Sequence, residues 1–507
     1  MEGRISLAVD LQITAFSGAE ITEHERGLHN AMVIKDGDKY LVTQRPTIDV
    51  SIDASATIGA VQGRGVYYWS FTGFTYLVAG DTVYKGNYST VVGTITAGIR
   101  PVYIYELDNL LLIVDAENDQ AWTVNSSDTL TQITDPNFPP KDTPAVSIVP
   151  GCAVLNGVGF VMGVDGLIYN TAYEDLTTWQ ALGYVAAERD PDRGAFIAKH
   201  HDHIIGFGAA TIEAFFYDDN NASNASPLTR RQDVFYNVGI YNGGSAWVDG
   251  DRIFFVGVNS SGGVGVWLLE NFALKKISSE SLDSFLSSAL NTDLYVVLGS
   301  GYHSAGHIFY VITFYEETSV LTPVKSLVYD DITGIWGTIE TTIGGLNEYP
   351  LIGWSKRTST TARRGQGMMY NGDVVVMTDD LVPNDSLLAS DVFVADGFVD
   401  DGFITGANPE GAAFEMRIRT GQQDFGTNRN KYLAQLGVVC NSTAASQTLT
   451  IKRSKNKSDN FDSGRSLDLS KPRFLHGLGR FKRCNFELST TSTELVRLEA
   501  LEYLIGI

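Results

Sequence analysis

Residues 153–162, AVLNGVGFVM, read as a complete β-hairpin: Ala153–Leu155 leads in, Asn156-Gly157 turns, and Val158–Met162 returns. Asn-Gly is the pair that accepts positive φ at both central positions, as a two-residue hairpin turn requires. The same grammar recurs along the chain. Tyr76–Ala79, Gly80-Asp81 and Thr82–Lys85 make a second hairpin, and Asp249-Gly250 ahead of Arg252–Val256 marks a third. In Ala413–Thr420, Phe414, Met416 and Ile418 alternate with Glu415, Arg417 and Arg419, so one face of that strand belongs in a core and the other in water.

The hairpins gather into four-strand groups wherever a turn with a carboxylate and a Thr leads to a Trp. Asp175, Thr177 and Trp179 form one such set, and Asp331, Thr333 and Trp336 another. Each is expected to close a propeller blade with its Trp packed between sheets. Blades of roughly 40–50 residues give residues 56–410 space for about five to seven, with six the expected count. The chain therefore reads as all-β. Residues 1–55 are an N-terminal extension packing on the hub, 56–410 a β-propeller, and 411–507 an additional C-terminal β-domain ending in Val496–Ile505. The clearest helix is Ser278–Leu290, where Leu282, Phe285, Leu286 and Leu290 recur at spacings of three and four. Residues 135–144, DPNFPPKDTP, carry four prolines and read as an extended loop between blades.

With 507 residues, 44% hydrophobic and 19% charged, the chain has ample material for a large core. Its formal charge of −22 argues against a protein built to grip nucleic acid, because that grip comes from Lys and Arg neutralising phosphates. The charge is segregated. Residues 452–483 hold ten Lys or Arg against three Asp, a balance of +7 that leaves −29 for the rest. Cys152, Cys440 and Cys484 are too few for a disulfide framework and read as free thiols. Glu2 and Asp10 break the pattern of a signal peptide, and no uncharged apolar run approaches 18 residues, so neither export nor a membrane span is expected.

Catalytic and metal motifs are thin. His24-Glu25 with His29 is one residue too long for a zinc-protease helix, which would leave the imidazoles on different faces. His200, His201 and His203 are a metal candidate in which His201 and His203 share a strand face, set against the reading of ordinary surface histidines. Asp391, Asp396, Asp400 and Asp401 miss the spacing of a calcium loop and read as turns. Ser458–Arg465, SDNFDSGR, is similar to a sialidase Asp-box but lacks its Trp, and also reads as a turn. The phosphate loop, the G-x-S-x-G elbow and paired-Cys zinc spacing are missing from the sequence. No cofactor, metal or catalytic residue is assigned.

A resemblance runs through the chain in order. Residues 187–192 (AERDPD), Ile205-Gly206-Phe207-Gly208, Thr211-Ile212-Glu213, Ser226-Pro227-Leu228 and Asn237-Val238-Gly239 resemble the packaged-DNA stabilization proteins of short-tailed bacteriophages. Ser245-Ala246-Trp247, Phe254–Gly257, Val264–Trp267 and Lys276-Ile277-Ser278 continue it. Gly63-Arg64-Gly65, Leu77–Gly80 and Val83-Tyr84 look like the family's first blade. Arg419-Thr420-Gly421, Asp424-Phe425-Gly426, Lys431 and Gly477-Leu478-Gly479-Arg480 look like its C-terminal domain. The histidines before Ile204 and the loop Asp218–Ala225 depart from the pattern.

The resemblance implies a structural virion protein of the tail, made in the host cytoplasm. It would be the nozzle or hub of a podovirus tail, a hexamer below portal and adaptor that holds packaged DNA and conducts it during ejection. Tail adaptor, fibre or spike, and needle proteins are the implied partners, with genomic DNA passing transiently. Six copies at −22 each carry −132, which suits a channel along which DNA slides. Lys452, Arg453, Lys455, Lys457, Arg480, Lys482 and Arg483 then form a candidate docking face for an acidic neighbour. The rival classes are a propeller glycosidase, which needs two or three placed carboxylates in a concave site, and a glycan-binding host-recognition protein using exposed Trp and Tyr.

Overall fold

The computed structural model describes residues 2–7, 27–37, 39–139, 146–187, 192–218, 226–290, 295–318, 320–341, 346, 348–356, 365–378, 384–387, 412–425, 429–455, 461–492 and 494–506. Among these, seven antiparallel four-stranded sheets follow one another as propeller blades. The first six span residues 63–94, 103–132, 153–186, 194–236, 238–276 and 295–338. In the fifth, the inner strand is split by a one-turn 3-10 segment into Val238–Ile240 and Trp247–Asp249, both pairing Arg252–Asn259. The seventh takes Leu351–Ser355, Gln366–Met369 and Val374–Thr378, and is completed by Thr47–Ile52, which pairs antiparallel to its third strand.

Seven blades correct the count of six. The first two are only about thirty residues long because turns of two to five residues join short strands, and Thr47–Ile52, read as N-terminal extension, supplies the missing fourth strand. The ring closes where the seventh blade meets the first: Ser355 Oγ accepts from Tyr68 N at 2.6 Å, and Thr75 Oγ1 donates to Gln366 Oε1 at 2.7 Å. Finishing the last blade with a strand from the other end of the chain binds the ring shut through a sheet ladder.

The propeller core is a set of layers, one per seam. Trp69, Tyr76, Trp122 and Val124 fill the seam between blades one and two. Phe138, Val161 and Trp179 fill the next, and Trp247, Phe285, Tyr310 and Trp336 that between five and six. Trp179 and Trp336 are 2% and 1% exposed, and Trp336 Nε1 donates to Ile277 O, so both sit between sheets as their motif implied. The carboxylate partner differs between the two sets. Asp175 Oδ1 accepts from Thr177, whereas Thr333 donates to Asp330 and Asp331 turns to Arg252.

The three hairpins form with the expected turns: Leu155 faces Val158, Ala79 faces Thr82 and Asp249 faces Arg252. Asn156 and Gly157 take φ of 48° and 76°. Helix Glu280–Leu290 buries Leu282, Phe285, Leu286, Ala289 and Leu290 against the seam of blades five and six. In the proline-rich segment Asn137 N donates to Asp135 Oδ1 and Phe138 packs edge-on against Trp179; residues 140–145 lie outside the described ones.

Asn384–Leu387 runs parallel beside Thr47–Ile52 and pairs Ala412–Ala413, and the other strands outside the blades make a two-sheet sandwich from both ends of the chain. One sheet holds Glu2–Ser6, Ala31–Asp36, Lys39–Gln44, Lys431–Cys440, Phe474–Phe481 and Arg497–Gly506. The other holds Gly27–His29, Met416–Arg419, Thr448–Lys455, Arg465–Asp468 and Cys484–Thr490, with Val33, Val42, Ile418, Leu436, Phe486 and Leu501 among the side chains between them. Gly27–His29 runs parallel to the outer strand of blade six, Leu28 facing Gly337, so one sandwich sheet continues the sixth blade. Arg45, at the crossing from sandwich to seventh blade, is 4% exposed; it donates to Asn30 Oδ1 and to the carbonyls of Pro46 and Glu340, over the Phe414 ring. His29 meets Thr338 and Glu340 rather than a metal, while His24 and Glu25 lie outside the described residues.

Candidate functional site

Four places gather groups that could carry chemistry: the inner edges of the blades, the basic segment, the histidines and a cavity on one propeller face. At the inner edges of the blades, side chains of non-adjacent blades meet. Tyr103 of blade two and Phe196 of blade four, which are not adjacent blades, bring their ring centroids to 6.2 Å. Burial raises the phenol pKa of Tyr67 and Tyr103, and pushes Tyr105 and the Cys152 thiol up to about 12, so this lining is neutral at pH 7. Arg100 Nη2 reaches Glu317 Oε1 at 2.6 Å, tying the linker after blade one to blade six, and Ile99 packs beside Val296, Leu298 and Ile352. A DNA duplex, whose major groove alone is about 12 Å wide, does not pass where two aromatic rings touch.

Much of the negative charge has local work. Glu117 accepts from Ile99 N and Arg100 N, each at 2.8 Å, Asp119 from Ile148 N, Asp192 from Ala210 N and Thr211 N, and Asp373 from Ala54 N. These carboxylates pin the backbone where one blade hands over to the next, a strong form of hydrogen bond because the acceptor is charged.

The basic residues divide. Arg453 is 7% exposed and takes no part in an open face, while Lys452, its side chain 38% exposed, pairs with Glu487 Oε1 at 2.8 Å. Arg453 Nε and Nη1 lack a hydrogen-bond partner among the described residues, and burial lowers its pKa. Lys455, Arg480 and Lys482 are exposed, Arg483 is half-buried, and Lys457 lies outside the described residues. Lys455 and Arg480 share one end of the sandwich: a Cβ at Gly479 would lie 3.8 Å from Lys455 Nζ. In SDNFDSGR, Asp462 Oδ1 accepts from Arg453 N and Gly464 N, a turn.

The histidines are not an ordinary surface group. His200 pairs with His203 across a hairpin whose turn is His201-Asp202, so His201 (φ 52°) leaves the strand instead of sharing a face with His203. His200 is fully buried because Phe272, from the third-to-fourth strand turn of blade five, covers it. The Phe272 ring lies 4.8 Å from His200 and from His203, 5.6 Å from His201, and 4.4 Å under Arg231. Phe272 N donates to His200 Nε2, and burial lowers the His200 pKa to about 4. No group of three or more His, Cys, Asp or Glu among the described residues is placed to hold a metal. Asp391, Asp396, Asp400 and Asp401 lie outside them.

A polar cavity of about 390 Å³ opens between blades five, six and seven, lined by Asp249, Arg252, Glu270, His303 and Lys356 among others. Its charges are already matched. Asp249 accepts from His303 and Lys356, and Arg252 meets both Glu270 and Asp331. Sequence reading missed this network because its members come from three blades with no shared spacing.

The family described as bacteriophage P22 Gp10, beta-propeller, matches residues 33–374, from the sandwich's first hairpin to the third strand of the last blade. The chain belongs to the P22 Gp10 β-propeller family. It is thus a structural phage protein of the DNA-stabilisation type, a virion component, as the resemblance implied. The match ends before the sandwich strands of residues 416–506. No curated protein matches the sequence. Among solved structures, a virginiamycin B lyase from Staphylococcus aureus is similar at 8% identity and TM-score 0.39, over 69% of this chain and 98% of that one. An exo-beta-1,3-galactanase from Phanerochaete chrysosporium is similar at 10% and 0.28, over 81% and 97%. The extracellular domain of BT4673 from B. thetaiotaomicron gives 10% and 0.40, and this chain spans 39% of its length. Likeness at this level says nothing of what a P22 Gp10 relative does.

Proposed function

We propose that this Gp10-family protein is the nozzle or hub subunit of a short-tailed phage: six copies form a ring below portal and adaptor, retain the packaged genome and conduct it during ejection. The observation that carries the reading furthest is the contact of Tyr103 with Phe196 across blade three: it leaves no passage for a duplex at that place, which supports a conduit between copies, as a ring provides. The −22 charge favours sliding over sticking wherever copies face the conduit. A rigid seven-layer disc suits a mechanical part.

The propeller, completed by Thr47–Ile52, and the sandwich built from both chain ends are proposed as the ring and docking portions of that subunit, in place of the consecutive segments 1–55, 56–410 and 411–507, with fibre or spike and needle proteins as further neighbours. Within the basic segment the docking role falls to Lys455, Arg480 and Lys482. The test is the mass of the purified protein alone and with the phage's portal–adaptor assembly. Six copies joining the assembly are expected; a protein that ignores it while other tail proteins associate would return the glycosidase and glycan-binding readings to the front.

A further inference from the structure

Two surfaces of the described chain concentrate exposed apolar side chains, and they carry opposite charge. The first is the outer strand of blade three with its leading turn. Tyr173 is 65% exposed, Leu182 68% and Tyr184 40%. Leu182 stands out because the ladder jumps from Tyr169 facing Tyr184 to Thr171 facing Trp179, so residues 180–183 bulge from the edge. The described residues of this edge carry Glu174 and Asp175 and no Lys or Arg of their own, and Arg230 reaches only its far end, donating to Ala186 O.

The second is the outer face of the sandwich sheet. Tyr432, Phe474 and Leu504 are 43%, 49% and 38% exposed. The register puts them on one side, since Tyr432 faces Arg480, Gly437 faces Phe474, and Gln435 links His476 to Leu504. Phe474 lies across Gly437, where a Cβ would come within 3.0 Å of its ring. Lys455, Arg480 and Lys482 stand at the Tyr432 end, Glu2 faces Leu504, and Arg4 is matched by Glu502 at 3.3 Å, so the cations outnumber the carboxylates.

We infer that the blade-three edge of one copy seats on the outer sandwich face of the next copy. Apolar centres with oppositely charged rims match each other. Because the two patches differ, the contact is heterologous, joining copies head to tail, and such a contact makes a ring when its rotation closes. The inference rests on the ring reading and specifies how that ring is joined.

The experiment uses two full-length variants, Lys455→Glu with Arg480→Glu, and Glu174→Lys with Asp175→Lys, each with circular dichroism as a fold control. Mass is measured by light scattering across concentration, alone and with the portal–adaptor assembly. Each variant alone is expected to self-associate at least about tenfold more weakly than wild type. An equimolar mixture should recover assembly, because the intact surfaces of the two variants pair and their two reversed surfaces are again opposite in charge. Variants that form rings as wild type does, or a mixture that recovers nothing, would overturn the contact and leave the ring reading standing. Wild-type pairs or open chains that respond to the variants would keep the contact and sink the ring. A wild type that stays monomeric even with the portal–adaptor assembly would remove both.

Discussion

Arg64 Nη2 and Asp115 Oδ2 stand 2.7 Å apart with both side chains fully out of solvent. The guanidinium also donates to the carbonyls of Arg100, Gly80 and Thr96, so its charge and its donors are satisfied at the junction of blades one and two. Removing one partner leaves a buried charge, with Glu117 at 3.6 Å the nearest substitute. Asp115→Ala should therefore cost about 3–5 kcal/mol, read as a lower urea midpoint. A change within experimental error would show that the guanidinium is held by its carbonyls alone.

The layered core makes each seam separately vulnerable. Trp336 is 1% exposed, donates to Ile277 O and packs on Tyr329 at 5.1 Å. Trp336→Ala should destabilise by about 3–5 kcal/mol. Hydrogen exchange should report it first in the helix Glu280–Leu290 and blades five and six, and uniform loss of protection over all blades would mean that the seams do not open independently.

Acid should loosen the seam between blades four and five. His200 is held neutral with its pKa near 4, and its Nδ1 has no partner; His201, His203, Asp251 and Glu270 are the nearby titratable groups. A depressed histidine pKa means the unfolded chain binds the proton more readily. The contribution is then present above about pH 6.5 and lost as pH falls toward 4, by up to about 3 kcal/mol. His307 works in the opposite direction: Asp330 raises its pKa, so its share is present in acid and lost as pH rises through that raised value. His200→Phe should flatten the loss between pH 6.5 and 4 in urea titrations, and an unaltered slope would assign the effect elsewhere.

Arg453 is a buried cation whose Nε and Nη1 find no acceptor among the described residues, with Asp462 only at 3.9 Å. Methionine fills similar volume without the desolvation cost, so Arg453→Met should be neutral or stabilising by about 1–2 kcal/mol. A clear drop in melting temperature would show that the weak Asp462 pairing matters more than its distance suggests.

How much of this was legible beforehand follows from range in sequence. Hairpins such as Ala153–Met162 are set by adjacent residues: alternation chooses the face and Asn156-Gly157 supplies the left-handed turn, so composition and spacing determined strands, turns, the Trp-lined seams and the all-β class. Blade number was not fixed locally, because the last blade borrows Thr47–Ile52 from more than three hundred residues away. The same reason hid the sandwich, whose sheet brings Glu2–Ser6 beside Arg497–Gly506. The basic run was visible as a charge count, yet only packing sorted buried Arg453 and paired Lys452 from exposed Lys455 and Arg480. Local patterns decide what a segment is; which segments meet depends on closing a ring and a sandwich across the whole chain, and that only the tertiary structure decided.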